Sequence, residues 1–219
     1  SGELGLIPPA DFIPLAEYLG LINPIGEFVL REACIHCKYW NDMGHPEYKV
    51  NVNLSVVQLL QNDIVERIAH VIEETRITPQ NLTLEVTESL AVNDMSRMKR
   101  ILADIRHLGV RVALDDFGTG YSSLSRLSEL NFDKIKIDKS FVNPISTQDD
   151  ALNIVKLITG MAKSLNMRVI AEGVEKEEEL KIIHDIGAEI VQGYFFFPPI
   201  TESEMEKILA NNSLLLAEP

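Results

Sequence analysis

The sequence predicts an α/β fold built on a parallel sheet, and three observations carry that expectation. From Val50 onward, short β-rich runs alternate with longer amphipathic runs. Gly109 and Gly187 follow two of the amphipathic runs, where a helix end favours a left-handed residue. Polar residues recur at the carboxyl ends of the β-rich runs, the end at which parallel α/β folds build their sites.

The opening SGELGLIPP reads as a loop entering a helix, with Pro9 suited to the first turn. Helical patterns follow over 9–19 and 25–40. The second contains Cys34 and Cys37, with His36 between them and His45 beyond, a spacing that raises a metal hypothesis. A structural zinc site needs four ligands, usually as paired knuckles, and a redox CxxC opens a helix after a strand. Neither context is present, and the recurrence of Phe28, Val29, Ala33 and Ile35 makes both thiols helix residues, packed or at the surface.

Strands are expected over 50–54, 82–86, 110–114, 134–137, 168–171 and 190–191. Helices are expected between them over 56–75, 94–108, 122–130, 150–165 and 176–186, with a last one over 202–209. Strands joined by helical crossovers pair in parallel, because a parallel connection needs a long return path. Six β/α units are visible, whereas a closed barrel of this kind needs eight strands. Either the sheet is open or the chain begins inside the barrel. No linker or change of composition interrupts the alternation, so residues 1–219 are expected to form one continuous domain.

Composition excludes several function classes. Hydrophobic residues make up 46% and charged residues 24% of the 219, ordinary globular values that exclude disorder. Thirty-three acidic against 20 basic side chains give −13, which argues against sequence-independent binding to long nucleic acid. A small phosphorylated ligand held locally by metals is compatible with that charge. No apolar run approaches the ~20 residues of a membrane span and no signal-like segment opens the chain, so no membrane contact and a cytoplasmic location are expected.

At the strand ends stand Asn53, Glu85 with Glu88, Asp115 and Asp116, Lys136 with Asp138, Glu172 with Glu175, and Gln192. Any one of them alone reads as a helix cap or a solvated loop residue. Repetition over six strands favours a site. The carboxylates and an amide oxygen, with no histidine, form a hard ligand set suited to magnesium or manganese. Packing Glu85, Asp115, Asp116 and Glu172 together without cations costs several kcal/mol in repulsion or forces protonation. Two divalent ions about 3.5–4 Å apart remove that cost and are the usual device for in-line displacement at phosphorus. Lys136 is then placed to hold a water or a phosphate oxygen. The run DFGTG from Asp116 lies where a loop covers the metals, and its glycines permit unusual backbone angles. A kinase reading of DFG fails, since there is no GxGxxG loop and no HRD stretch. No GxxxxGK[ST] run exists either.

Seven ordered motifs carry a resemblance across essentially the whole chain: FIPLAEYLGLI at Phe12, NVNLS at Asn51, LEVTES at Leu84, DDFGTGYSSL at Asp115, KIDKSFV at Lys136, VIAEGVE at Val169 and QGYFFFPP at Gln192. The chain resembles an EAL domain, the bacterial phosphodiesterase specific for cyclic di-GMP. The resemblance implies a modified (β/α)8 TIM-type barrel and hydrolysis of cyclic di-GMP to linear pGpG with two magnesium or manganese ions. It implies that Asn53, Glu85, Asp115 and Asp116 hold metals, that Asp115 bridges them, and that Glu172 completes the second ion's surroundings. Lys136 positions the attacking water, Gln192 orients groups around it, and Glu88 anchors the DFGTG loop. Phe197 and Pro198 lie where the family contacts a guanine base, and Asp138 and Glu175 are assigned with them to substrate binding. For Phe197 and Pro198, as for Tyr194, Phe195 and Phe196, packing is an equal alternative.

The glutamate of the EAL signature and its neighbouring phosphate-binding arginine are not among the 219 residues. By the family's order they lie just upstream of Ser1, and Glu3 falls in the loop after that strand. The expectation is an N-terminally incomplete record of a competent domain, because the other ligand positions are filled. The alternative is a degenerate cyclic di-GMP receptor acting through a partner protein or domain. The resemblance also implies a fused sensor or cyclase module outside this chain, a homodimer through barrel helices, and a place in a larger, membrane-anchored signalling protein.

Overall fold

The computed structural model describes residues 7–88, 95–119 and 124–210. The first six residues of the opening loop, the expected helix starts at Asp94 and Ser122, and Gly120 of the DFGTG run lie outside the described residues.

The chain enters through two helices. Helix α1 (Pro9–Tyr18) begins with proline in its first turn, where a missing N–H costs nothing. Helix α2 (Ile22–Asp42) buries Ile22, Leu30, Cys34 and Cys37 on one face, as its apolar spacing requires. Both cysteines are fully buried free thiols, so the packed-helix reading holds. Cys37 Sγ faces the carbonyl of Tyr48 at 3.5 Å.

Six strands follow: β1 (Val50–Asn53), β2 (Leu82–Thr87), β3 (Arg111–Phe117), β4 (Lys134–Ile137), β5 (Arg168–Glu172) and β6 (Ile190–Gln192). They form one curled parallel sheet in the order of the sequence. Each crossover carries at least one helix: α3 (Val56–Leu59) and α4 (Ile64–Thr75), α5 (Met95–His107), α6 (Leu124–Leu130), α7 (Lys139–Val142) and α8 (Asp149–Ser164), and α9 (Glu177–Ile186). Helix α10 (Glu202–Ala210) ends the described chain.

Two differences from expectation have local causes. The helix expected over 56–75 is broken into α3 and α4. Ser55 and Gln58 form a capping box at the start of α3. The break itself is pinned by Arg97, whose guanidinium donates to the carbonyl of Leu60 at 2.6 Å and to Asn62 Oδ1 at 2.7 Å. Helix α7 was not anticipated; Asp138 caps it by accepting from the N–H of Ser140 at 2.9 Å.

The two faces of the sheet differ in chemistry. Successive side chains of a strand point to opposite faces. On β2, Leu82, Leu84 and Val86 pack into the core beneath the helices, while Thr83 and Glu85 face the concave side. On β4, Ile135 and Ile137 join the core and Lys134 and Lys136 face inward. All four inward residues are 5% exposed or less, so the concave interior is polar as well as buried. Buried polar side chains need partners, and the sheet supplies them across strands, as in the bond from Lys134 Nζ to Thr83 Oγ1 at 3.0 Å.

Near the carboxyl end of the described chain, α10 is tied back to α2. His36 Nδ1 lies 2.8 Å from Glu202 Oε1, and the His36 ring stands 6.2 Å from that of Trp40, whose indole N–H is buried.

Burial pushes the Cys34 thiol up from 9.0 to about 12, with Cys37 beside it as a further cause. Between those values the folded form holds a proton that the unfolded chain has lost. Stability is therefore fully present below pH 9 and falls above it, by about 1.4 kcal/mol per pH unit for one such group. The gap in urea midpoint between wild type and Cys34→Ala should narrow from about pH 9 to about pH 11, since the variant lacks that slope. A constant gap would contradict the burial. Neither thiol should react with an aromatic disulfide reagent until denaturant is added.

Candidate active site at the strand ends

The concave face culminates at the carboxyl ends of β2 to β5 in one buried ion cluster. Lys136 Nζ lies 2.8 Å from Glu85 Oε2, 2.9 Å from Asp115 Oδ1 and 2.7 Å from Glu172 Oε1. Glu85, Asp115 and Lys136 are 5%, 7% and 4% exposed, and Glu172 is half-buried. Register explains the convergence: Glu85 sits opposite Ala113, whose small side chain leaves the lysine room, and Lys136 sits opposite Ile170, one pair before Glu172 on the same face.

Asp116 joins the cluster through an irregularity. Adjacent strand residues ordinarily face opposite ways, which would turn Asp116 from the site. The β3–β4 pairing shifts register between Leu114 and Phe117, and Asp116 takes a left-handed φ of 54°. Such a backbone is costly for a residue with a side chain and is characteristic of functional sites. The result is that Asp115, Asp116 and Glu172 each offer a carboxylate oxygen within 4.8 Å of the others, a spacing that suits a shared cation. Phe117 meanwhile returns to the core.

The electrostatics leave an excess of negative charge. Burial opposes the Lys136 ammonium, but Glu85, Glu172 and Asp115 outweigh it and raise its pKa, so the lysine stays protonated. Burial also raises the carboxyl of Asp116, with Asp115 and Asp138 adding to the effect. The carboxyl of Glu172 is raised by burial and drawn partly back by Lys136. One ammonium thus faces four carboxylates, those of Glu85, Asp115, Asp116 and Glu172.

The remaining expected residues fall into two groups. Asn53, exposed at the end of β1, pairs in register with Glu85, and Gln192, exposed at the end of β6, pairs with Glu172; both border the cluster. Glu88 accepts the N–H of Gly118 at 2.9 Å, and its own N–H donates to the carbonyl of Asp115 at 3.1 Å, so it joins the start of the DFGTG loop to β3. Gly118 has φ of 102°, and a Cβ there would stand 2.6 Å from Phe141, so the loop needs glycine at that place. Outside the cluster, Asp138 spends its carboxylate on capping α7. Burial raises that carboxyl but the Ser140 bonds outweigh it and hold it low. Glu175 is exposed after β5, and Phe197 and Pro198 are exposed beyond β6.

Two residues that sequence reasoning did not single out support the site. Asn51 donates to Glu85 Oε1 at 2.8 Å and so fixes the carboxylate that Lys136 shares. The alternation of Asn51 with Asn53 on one strand was the available signal. Glu179, 1% exposed, accepts the N–H groups of Glu175 at 2.9 Å and Lys176 at 3.2 Å, holding the turn that follows Glu172.

Comparison with known proteins agrees with this geometry. The family model described as EAL domain matches residues 1–199. The bifunctional diguanylate cyclase/cyclic di-GMP phosphodiesterase MucR of Pseudomonas aeruginosa is 38% identical over 201 residues, 92% of this chain and 29% of that protein. The cyclic di-GMP phosphodiesterase NbdA of the same organism is 36% identical over 205 residues, 94% of this chain and 26% of that protein. Among solved structures, the PaMucR phosphodiesterase in complex with c-di-GMP superposes with a TM-score of 0.89 at 38% identity, covering 94% of this chain and 83% of that one. The chain spans about a quarter to a third of the length of the curated relatives it matches. A match that takes in residues 1–199, with the same curled sheet beneath it, means that the chain belongs to the EAL domain family.

Proposed function

We propose that this chain is the phosphodiesterase module of a signalling protein and hydrolyses one phosphodiester of cyclic di-GMP to give linear pGpG. The observation that carries the reading is the gathering of Glu85, Asp115 and Glu172 around Lys136, with Asp116 turned onto the same face. Support comes from the relatives, two of which are named as cyclic di-GMP phosphodiesterases.

The donor set fits magnesium or manganese. It consists of oxygen atoms, it holds more negative charge than Lys136 neutralises, and burial makes that excess costly. Asn53, Glu85, Asp115, Asp116 and Glu172 would hold the ions. Two divalent ions held there would lower the pKa of a bound water and stabilise charge on the phosphoryl oxygens. Lys136, kept protonated, serves as a hydrogen-bond donor to a water or phosphate oxygen and is excluded as a general base. Glu172, raised by burial and at the open rim of the cluster, is suited to accept a proton. Gln192 offers its amide beside Glu172 to orient the attacking water. Glu88 holds the loop from Asp116 in place over the site. Phe197 and Pro198 offer exposed apolar surface to a base, and Glu175 and Asp138 are assigned with them to substrate binding. A fused regulatory module, a homodimer and a cytoplasmic location complete the proposal.

Product formation in magnesium or manganese should stop in chelator after metal stripping and return on re-addition. Calcium should support binding with little turnover, since its looser coordination aims the attacking oxygen poorly. Undiminished turnover without metal would defeat the mechanism. Binding of cyclic di-GMP without turnover in any metal would establish the receptor reading instead.

Asp115→Asn should abolish turnover and weaken metal binding, because a carboxylate beside both Asp116 and Glu172 loses its charge. Glu88→Ala should lower activity by about 10–100-fold, the usual range for a group that holds the residues around a metal, while metal still binds. Calorimetric titration with manganese separates the two. Equal loss of metal in both would show that their roles are wrongly divided.

Lys136→Met removes the one cation among three carboxylates. The metal-free variant should be destabilised by about 3–5 kcal/mol, the range for breaking a buried ion pair on one side. Magnesium should restore much of the melting temperature without restoring turnover. Recovery of both would show that the lysine acts only as a structural counter-charge.

A further inference from the structure

We propose that the amino-terminal end of the sheet, opposite the strand ends that carry the carboxylates, holds a second binding site, for a small multivalent anion bearing phosphate or carboxylate groups. A cavity of about 510 Å³ opens there beneath β3, β4 and β5, within the ~300–1,000 Å³ typical of small-molecule sites. Its lining brings together Arg106, Arg111, Lys134 and Arg168, with Asp133 as its one carboxylate. Four cations in one cavity stand out in a chain whose net charge is −13.

Ordinary structural roles account for only part of this cluster. Arg106 stands in the last turn of α5, where a cation offsets the helix dipole, and lies 3.6 Å from Asp133. Asp133 is engaged in turn, accepting the N–H of Val112 at 2.9 Å. Arg111, Lys134 and Arg168 are strand residues that helix ends do not explain. Among the described residues none of the three has a carboxylate within ion-pair distance, and the side-chain partner of Lys134 is the neutral hydroxyl of Thr83.

The arrangement carries a cost that an anion removes. Lys134 pairs in register with Arg168, so two like charges lie directly opposite on adjacent strands, a destabilising placement. Lys134 is 4% exposed, and its pKa is lowered to about 8, by burial first and then by Arg111, Lys49 and Arg168. An anion of two or more charges would sit between the guanidinium groups, which present paired donors to phosphate or carboxylate oxygens, with the ammonium behind them. This site is independent of the hydrolase reading and lies at the other end of the sheet.

Calorimetric titration of the metal-free full chain with pyrophosphate, and separately with citrate, tests it. Removing metal silences the acidic end, which repels both probes. Wild type should bind at least one of the two, with the pyrophosphate and citrate arms showing whether phosphate or carboxylate is preferred. The Arg111→Gln/Arg168→Gln double variant should bind at least about tenfold more weakly, the equivalent of one lost charge-assisted contact. Lys134→Met should weaken binding similarly, with circular dichroism confirming that both variants fold. No binding of either probe by wild type, or equal affinity in the folded double variant, would overturn the proposal.

Discussion

One ammonium group organises the concave side of this protein. Lys136 reaches three carboxylates from three different strands, and the sheet curls around that point. Taking a lysine and three carboxylates out of water is expensive, and the mutual attraction offsets it only where geometry is close and the spare oxygens are bonded. Asn51 donates to the second oxygen of Glu85, and the N–H of Asp116 adds a further donor to the Asp115 oxygen that Lys136 holds. The same group sets the chemistry. Because its neighbours keep it charged, it is a hydrogen-bond donor rather than a proton acceptor.

The interior carries charge at both ends and opposite in sign. At the carboxyl ends stand Glu85, Asp115 and Glu172; at the amino ends stand Arg111, Lys134 and Arg168. Parallel strands buried on both faces are usually near-continuous in apolar residues. Here the outer face supplies most of the hydrophobic contacts, through Leu84, Val112, Ile135 and Val169, while Ala113 and Ile170 are the buried apolar residues of β3 and β5 on the inner face. The rest of the inner face is left free for charge. The net charge of the chain gives no hint of that separation.

Much of the fold and part of the site were legible in the sequence, and the division has physical reasons. Five of the six strands lie within a residue of expectation, since β-branched runs bounded by turns leave little choice, while β3 runs three residues beyond the expected 114 and takes in both aspartates. Glu85, Asp115, Lys136 and Glu172 were legible because strand ends of a parallel sheet share one face. The break at 60–63 was not, because the apolar spacing of 56–75 continues across it and the bonds from Arg97 that hold it are long-range. The inward turn of Asp116 was equally hidden. It depends on a register shift against β4 and a left-handed backbone, neither of which the pair of aspartates announces. Asn51 was within reach, because a residue two before Asn53 must share its face.

The clasp between α10 and α2 gives the molecule an optical handle. Trp40 is the single tryptophan of the sequence, and it stands beside His36, which faces Glu202. Because Glu202 bonds the ring that stands next to the indole, release of α10 changes the surroundings of Trp40. Fluorescence from one native chromophore therefore reports whether the last described helix is seated, with no label introduced and no competing tryptophan signal to subtract. Movement of α10 against α2 becomes readable as light.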